Sequence, residues 1–262
     1  MRALRNLTKN ALGAAVRSQP FGLFLKLVDY QLAPYKEVED SSESLAEHLG
    51  MLLGACEINC VLDVGANIGQ TGIFLRRIGY RGRIVSFEPV GRNFKILAKR
   101  CGADPDWRCH RIALGARNGD QTINLARRSV FDSFLRPTGY STRQFGSDSE
   151  VIDSETVSVR RLETVIESCV NGLSTPRIFL KLDTQGYDLE VLAGAGPGIG
   201  CVLGLQTELS VKPVYESMVN YLDAIPRINA LGFEITGLFP VNRDAAMRVV
   251  EFDCVAVRPA SR

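Results

Sequence analysis

The sequence predicts an α/β chain organised around one doubly wound sheet, and three observations predict it. Residues Val61-Leu62-Asp63-Val64-Gly65-Ala66-Asn67-Ile68-Gly69 read as a buried strand that runs into a glycine turn and then a helix. About twenty residues on, Ile84-Val85-Ser86-Phe87-Glu88-Pro89 is a second apolar strand ending in an acid, the arrangement by which such sheets hold an adenosine cofactor. From residue 60 onward, strand and helix patterns alternate in steps that suit parallel strands joined by crossover helices.

The elements follow in order. An acidic link, Glu37-Val38-Glu39-Asp40-Ser41-Ser42-Glu43, leads to a helix over 43–54 that Ser42 is placed to cap. A strand over 60–66 precedes a helix to about 78. Gly79 and Gly82 then punctuate before a strand over 83–88. Phe94, Ile96, Leu97 and Ala98 mark a helix over 91–101, and a strand spans 107–114. Asn118-Gly119 signals a turn, and Thr122-Ile123-Asn124-Leu125 alternates like an edge strand. Residues 128–150 are polar and without clear period, which predicts a substrate-side loop. Val157–Arg160 is a strand and Leu162–Cys169 a helix; Ile178–Asp183 is a buried strand, and a helix runs from Tyr187 to Gly194. Val202–Leu209 is a strand, a helix over 215–231 ends at Gly232, and Phe233–Leu238 and Val249–Val257 close the sheet.

Composition narrows the function classes. With 262 residues and 45% hydrophobic content the chain can bury one large core. A net charge of +2 points neither to nor away from nucleic acid, and no basic-aromatic strip stands out. Cys56, Cys60, Cys101, Cys109, Cys169, Cys201 and Cys254 form no C-x-x-C pair, and their odd number suggests reduced thiols in a cytoplasm. His48 and His110 are the only histidines, which all but excludes a histidine-built metal site. The first thirty residues carry Arg2, Arg5, Lys9, Arg17 and Lys26 with no acid before Asp29, interleaved with leucine and phenylalanine. Such a segment suits packing on the domain, with contact to the inner face of an anionic membrane as a second expectation; it also has the acid-free, arginine-bearing character of a transit peptide.

The turn says which cofactor. A dinucleotide site wants glycines at the first, third and sixth positions so that a pyrophosphate reaches the helix N-terminus. Here those positions hold Gly65, Asn67 and Gln70. Asp63, two residues before Gly65, is poorly placed for a phosphate and well placed for an ammonium. S-adenosyl-L-methionine carries an ammonium, a carboxylate and a ribose but no phosphate, so it is the expected cofactor.

Four blocks are similar to a known family: Asp63–Gly69, Phe87-Glu88-Pro89, Ala113-Leu114-Gly115 and Lys181-Leu182-Asp183-Thr184-Gln185-Gly186-Tyr187-Asp188-Leu189-Glu190-Val191-Leu192. Over residues 59–257 the chain resembles the FkbM family of class I S-adenosylmethionine-dependent methyltransferases, and the last block is the specific one. The resemblance implies a Rossmann-like seven-stranded sheet in residues 56–262; residues 1–55 are read from their own pattern as an N-terminal helical extension. It implies O-methylation of hydroxyls on sugars, glycolipids or polyketides. One departure is Gln185, where many members carry an acid.

In such sheets ligands bind beyond the carboxyl ends of the strands. Asp63, Gly65, Asn67 and Gly69 are expected around the methionine part of the cofactor, Glu88 at the ribose and Ala113 at the adenine. Strand period places Lys181 and Asp183 on one face. Asp183 is the first candidate for the base in methyl transfer, or for orienting the hydroxyl, since a neighbouring ammonium would weaken it as a base. Glu208 is the third catalytic candidate; with Asp183 it could also hold magnesium, although a metal-free site is favoured. Asp188 is read as interacting with a helix N-terminus, His110 as a packed strand residue, Ser133 as part of a covering loop, and Lys212 and Tyr215 as possible sugar contacts. The expected acceptor is a saccharide or glycolipid. Other readings are a polyketide or other small-molecule hydroxyl, and a degenerate domain that binds partners without catalysis. Base methylation of nucleic acid lacks its Asp/Asn-Pro-Pro-aromatic motif.

Overall fold

A computed structural model describes residues 37–259. From residue 44 onward the described residues belong to the larger of two compact units. The expectations for residues 1–30 lie outside the described residues.

The larger unit is built on a seven-stranded sheet. Its parallel part comprises β1 (Cys60–Val64), β2 (Arg83–Phe87), β3 (Trp107–His110), β7 (Ile178–Leu182) and β8 (Val202–Ser210), and β9 (Glu234–Arg243) and β10 (Val249–Val257) complete it. The strand order is β3-β2-β1-β7-β8-β10-β9, with β10 antiparallel to both neighbours. A second, three-stranded sheet holds β4 (Ala113–Leu114), β6 (Val151–Arg160) and β5 (Gly119–Ala126), in that order.

The central strands β1 and β7 are buried along their whole length, as expected where helices cover both faces of a parallel sheet. On one face, Val61, Ile84, Phe179 and Val255 pack with Leu49, Leu52 and Leu53 of α1 (Glu37–Ala55), Leu75 of α2 (Gln70–Arg77) and Leu97 of α3 (Gly91–Cys101). On the other, Leu62, Val85, Leu180 and Leu205 pack against α5 (Leu162–Val170), α6 (Asp188–Ala193) and α7 (Tyr221–Ala230) through Leu162, Val191 and Ile228. Among the described residues, no helix is long and apolar enough to cross a membrane.

Several expectations need correction. α1 begins at Glu37, so Ser42 lies inside it rather than capping it. The strand read over 107–114 is two strands in two sheets. β3 ends level with β2, at the pair Phe87 and His110, and the chain then leaves the main sheet to pair Ala113 with Val159. The polar stretch 128–150 contains a helix, α4 (Gly139–Phe145), capped by the Thr138 hydroxyl accepting from Ser141 N at 3.2 Å. The helix read from 215 starts at Tyr221, after the Asn220 cap.

β1 and β7 are adjacent, but the chain leaves β1 towards β2 on one side and β7 towards β8 on the other. Such a switch in strand direction opens a crevice at the carboxyl ends of the strands. The candidate site lies there.

Candidate active site

Gly65 follows β1 with φ +79°, and a Cβ at this position would sit 1.9 Å from the backbone oxygen of Asp183. The tips of β1 and β7 therefore meet backbone to backbone, and no side chain fits between them. The crevice above this junction has a cavity volume of about 170 Å³. Its lining includes Gly65, Asn67, Glu88, Ala113, Lys181 and Asp183.

Glu88 forms the wall from β2. It is 4% exposed and accepts from the backbone N–H of Asn67 and of Val90, each at 2.8 Å. Burial pushes its pKa up to about 7, against the pull of those two hydrogen bonds. Each oxygen accepts one of these two bonds and retains acceptor capacity, as a pair of ribose hydroxyls requires. Asn67, at φ +48°, spends its side chain on the protein: its Nδ2 donates to Ser129 O at 2.9 Å and its Oδ1 accepts from Ile68 N at 2.8 Å. This fastens the segment Ser129–Phe131 beside the crevice, where Val130 joins the lining.

Asp63 is fully buried and is not among the lining residues. Its carboxylate accepts from Ser86 Oγ at 3.0 Å and lies 3.5 Å from Lys181 Nζ. Trp107 Nε1 donates to the same Ser86 hydroxyl at 2.9 Å. Burial raises the pKa of Asp63, while Lys181 and Ser86 oppose the rise. The expectation that Asp63 faces the cofactor's ammonium does not match this placement: it stands beneath the crevice and acts on it through Lys181. Gly69 also stays out of the lining; at φ +92° it starts α2 against the Trp107 ring and Leu97. Ala113 does line the crevice, delivered by the second sheet.

On the β7 side, Lys181 Nζ donates to Asp183 Oδ2 at 3.1 Å and is 6% exposed. Burial alone would lower the Lys181 pKa, but Asp183 and Asp63 outweigh it and raise the value, so the side chain stays an ammonium. Asp183 keeps its side chain 42% exposed to the crevice. Gln185, at φ +53°, ties the acids together. Its Nε2 donates to Asp183 Oδ1 at 2.8 Å and to Glu208 Oε2 at 3.2 Å, and its Oε1 accepts from Tyr215 OH at 2.8 Å. The three candidates Lys181, Asp183 and Glu208 are thus one hydrogen-bonded group. Glu208 is half-buried, and burial with the repulsion of Glu251 and Asp183 raises its pKa well above the usual range. Among the described residues, no group of three or more His, Cys, Asp or Glu is placed to hold a metal ion.

Three parts of this arrangement escaped the sequence reading. Asp188 accepts from Thr184 N at 2.8 Å, Thr207 Oγ1 at 2.7 Å and Glu208 N at 3.0 Å, so it clasps the turn after β7 to β8 rather than serving only its own helix. Tyr215 is 2% exposed and holds Gln185 instead of facing outward. Ser133 is buried and donates to Gln185 O at 2.7 Å. His110, by contrast, is exposed and stacks on Phe87.

Residues 63–235 match the family model described as the methyltransferase FkbM domain. Solved structures similar to this chain include Aeropyrum pernix fibrillarin with natively bound S-adenosyl-L-methionine, at 14% identity and a TM-score of 0.43, covering 76% of this chain and 66% of that one. Methanococcus jannaschii fibrillarin, a pre-rRNA processing protein, is 11% identical with a TM-score of 0.44, covering 78% and 68%. Geobacter metallireducens precorrin-6y C5,15-methyltransferase is 9% identical with a TM-score of 0.40, covering 77% and 81%. The chain thus spans just under two thirds of the first of these. Among curated proteins, none matches.

Proposed function

The chain belongs to the FkbM methyltransferase family, whose cofactor is S-adenosylmethionine, and from that premise we propose that it O-methylates a hydroxyl of a saccharide or glycolipid. The observation that carries this reading is the acid group at the tip of β7. Asp183 is exposed to the same crevice that Gly65 and Glu88 line, and is fixed on both oxygens by Lys181 and Gln185.

The cofactor supplies a methyl group already activated by the positive charge of a sulfonium. The residues present fit it: Glu88 would accept from the ribose hydroxyls, the bare backbone of Gly65 would admit the methionine part, and Ala113 with Val130 would flank the base. What remains for the protein is to deliver an alcohol in line and manage its proton. Asp183 would accept the hydroxyl's hydrogen bond and set its direction. Glu208, joined to Asp183 through the Gln185 amide, would share in the path of the hydroxyl's proton. Lys181 would hold Asp183 in place. A carboxylate pair that handles hydroxyl protons suits a polyhydroxylated acceptor, and nothing in the crevice calls for a nucleic-acid phosphate.

The test is mass-spectrometric detection of a saccharide or glycolipid gaining one methyl group from S-adenosylmethionine, with hydrolysis of the product locating the methyl on oxygen. Methylation confined to nitrogen, or to a polyketide, would replace this reading.

A further inference from the structure

Beyond Asp183, next to the crevice lining rather than in it, the wall made by β8 and β10 carries Glu208, which methyl transfer uses, and Glu251 and Asp253, which it does not. The two strands pair antiparallel with Glu208 opposite Asp253 and Ser210 opposite Glu251. Side-chain alternation therefore puts Glu208, Asp253 and Glu251 on one face of the sheet. Asp183 is within electrostatic reach of all three. Among the described residues, the cations placed against these acids are already engaged. Lys181 reaches Asp253, but its ammonium is shared by Asp63 and Asp183. Arg248 is held by Asp244 at 2.8 Å.

An independent sign comes from hydrogen bonding. Glu251 is 4% exposed; its Oε2 accepts from Asn242 Nδ2 at 3.2 Å, while its Oε1 has no hydrogen-bond partner among the described residues. The hydroxyl of Tyr140, which interacts electrostatically with Glu251, is also buried and without a partner among the described residues. A buried carboxylate oxygen without a donor is costly to maintain. Its complement is a group that only donates and carries positive charge. An ammonium offers three donors and no acceptor, whereas a neutral hydroxyl brings no charge. A metal ion is a poorer fit, since the described acids do not converge on one point. Gln185 links this wall to the crevice by donating to both Asp183 and Glu208.

We propose that the acidic wall of Glu208, Glu251 and Asp253 recognises an ammonium group on the acceptor, so that the methylated hydroxyl belongs to an amino sugar. This rests on the saccharide reading above and narrows it.

Calorimetry on the full chain loaded with S-adenosylhomocysteine tests the proposal, with glucosamine, N-acetylglucosamine and glucose as probes. Glucosamine is expected to bind at least about tenfold more tightly than either neutral sugar, the scale of one charge-assisted hydrogen bond. Glu251→Gln should erase that difference and leave S-adenosylhomocysteine affinity within about twofold of the wild type. Glu208→Gln, a second variant should the first fail to fold, should narrow the same difference. Equal binding of the three sugars, or binding of none, overturns the proposal. So does a glucosamine preference that survives both variants. Variants that instead weaken S-adenosylmethionine more than S-adenosylhomocysteine would reassign the acids to the cofactor's sulfonium. Equal binding leaves the saccharide reading intact, whereas methyl transfer confined to acceptors that are not saccharides removes it.

Discussion

A carboxylate held as deeply as Glu88 trades solvation for position. Burial pushes its pKa up to about 7, and the group is most useful to a ribose when ionised. Ribose binding should therefore release a proton, and S-adenosylhomocysteine affinity should climb as pH rises through about 7 and level off above it. Calorimetry across that range checks the slope; a flat profile would separate Glu88 from the ribose. Glu88→Ala should lower affinity by about tenfold or more at any pH above that value, through loss of charge-assisted hydrogen bonds. Asp183→Asn should leave affinity within a few-fold and cut turnover by about 100-fold or more, as expected for a group that acts only on the hydroxyl. At this scale the sequence was legible where a residue type has one good use at a strand tip. Gly65, Glu88, Ala113, Lys181 and Asp183 all line the crevice as read. Asp63 was not, because the same acid in the same register serves equally as the buried partner of a lysine one strand away. That pairing depends on the order of β1 and β7, which local sequence does not state.

The element that organises the site is the turn after β7, from Asp183 to Tyr187. Gln185 stands in it at φ +53°, held by Ser133 and Tyr215, while Asp188 ties the adjacent Thr184 to Glu208 of β8. An acid at this position would face Asp183 and Glu208 without the amide donor that now joins them. Gln185→Glu should consequently lower turnover and shift the rise of the pH–activity profile to higher pH, while Gln185→Ala should lower turnover without that shift. Identical profiles for the two variants would contradict a joining role. The strand–turn–helix at Gly65 was readable from the glycine and the apolar run before it. The turn after β7 was not readable in its contacts, because its partners Ser133, Thr207 and Tyr215 come from three other segments. The division of 107–114 between two sheets was hidden for the same reason: both halves have strand character, and tertiary pairing decides which sheet each joins.

For the molecule as a whole, the acids gathered around the crevice set a cost. The pKa of Glu251 is pushed up to about 7 and that of Asp253 to about 6, first by burial and then by neighbouring acids, from ordinary values of 4.5 and 3.8. Between about 4 and about 7 the folded chain therefore holds protons that the unfolded chain has released, so stability should fall as pH rises through that window. Melting temperatures of the cofactor-free protein should decline across it, and Glu251→Gln should flatten the decline. The sheet itself was legible because its seven strands carry their own apolar pattern; the closing β10 and β9 pair was read at its place, and the helical cover within 128–150 was missed because α4 is short and rests on its cap more than on periodicity. The central claim is that this arrangement transfers methyl groups to a sugar hydroxyl. The most direct measurement incubates the purified protein and its Asp183→Asn variant with S-adenosylmethionine carrying a labelled methyl group and a saccharide and glycolipid extract, followed by mass spectrometry. The account predicts label on a saccharide oxygen with the wild type and at least about 100-fold less with the variant; equal label from both proteins, or label only on non-saccharide products, would contradict it.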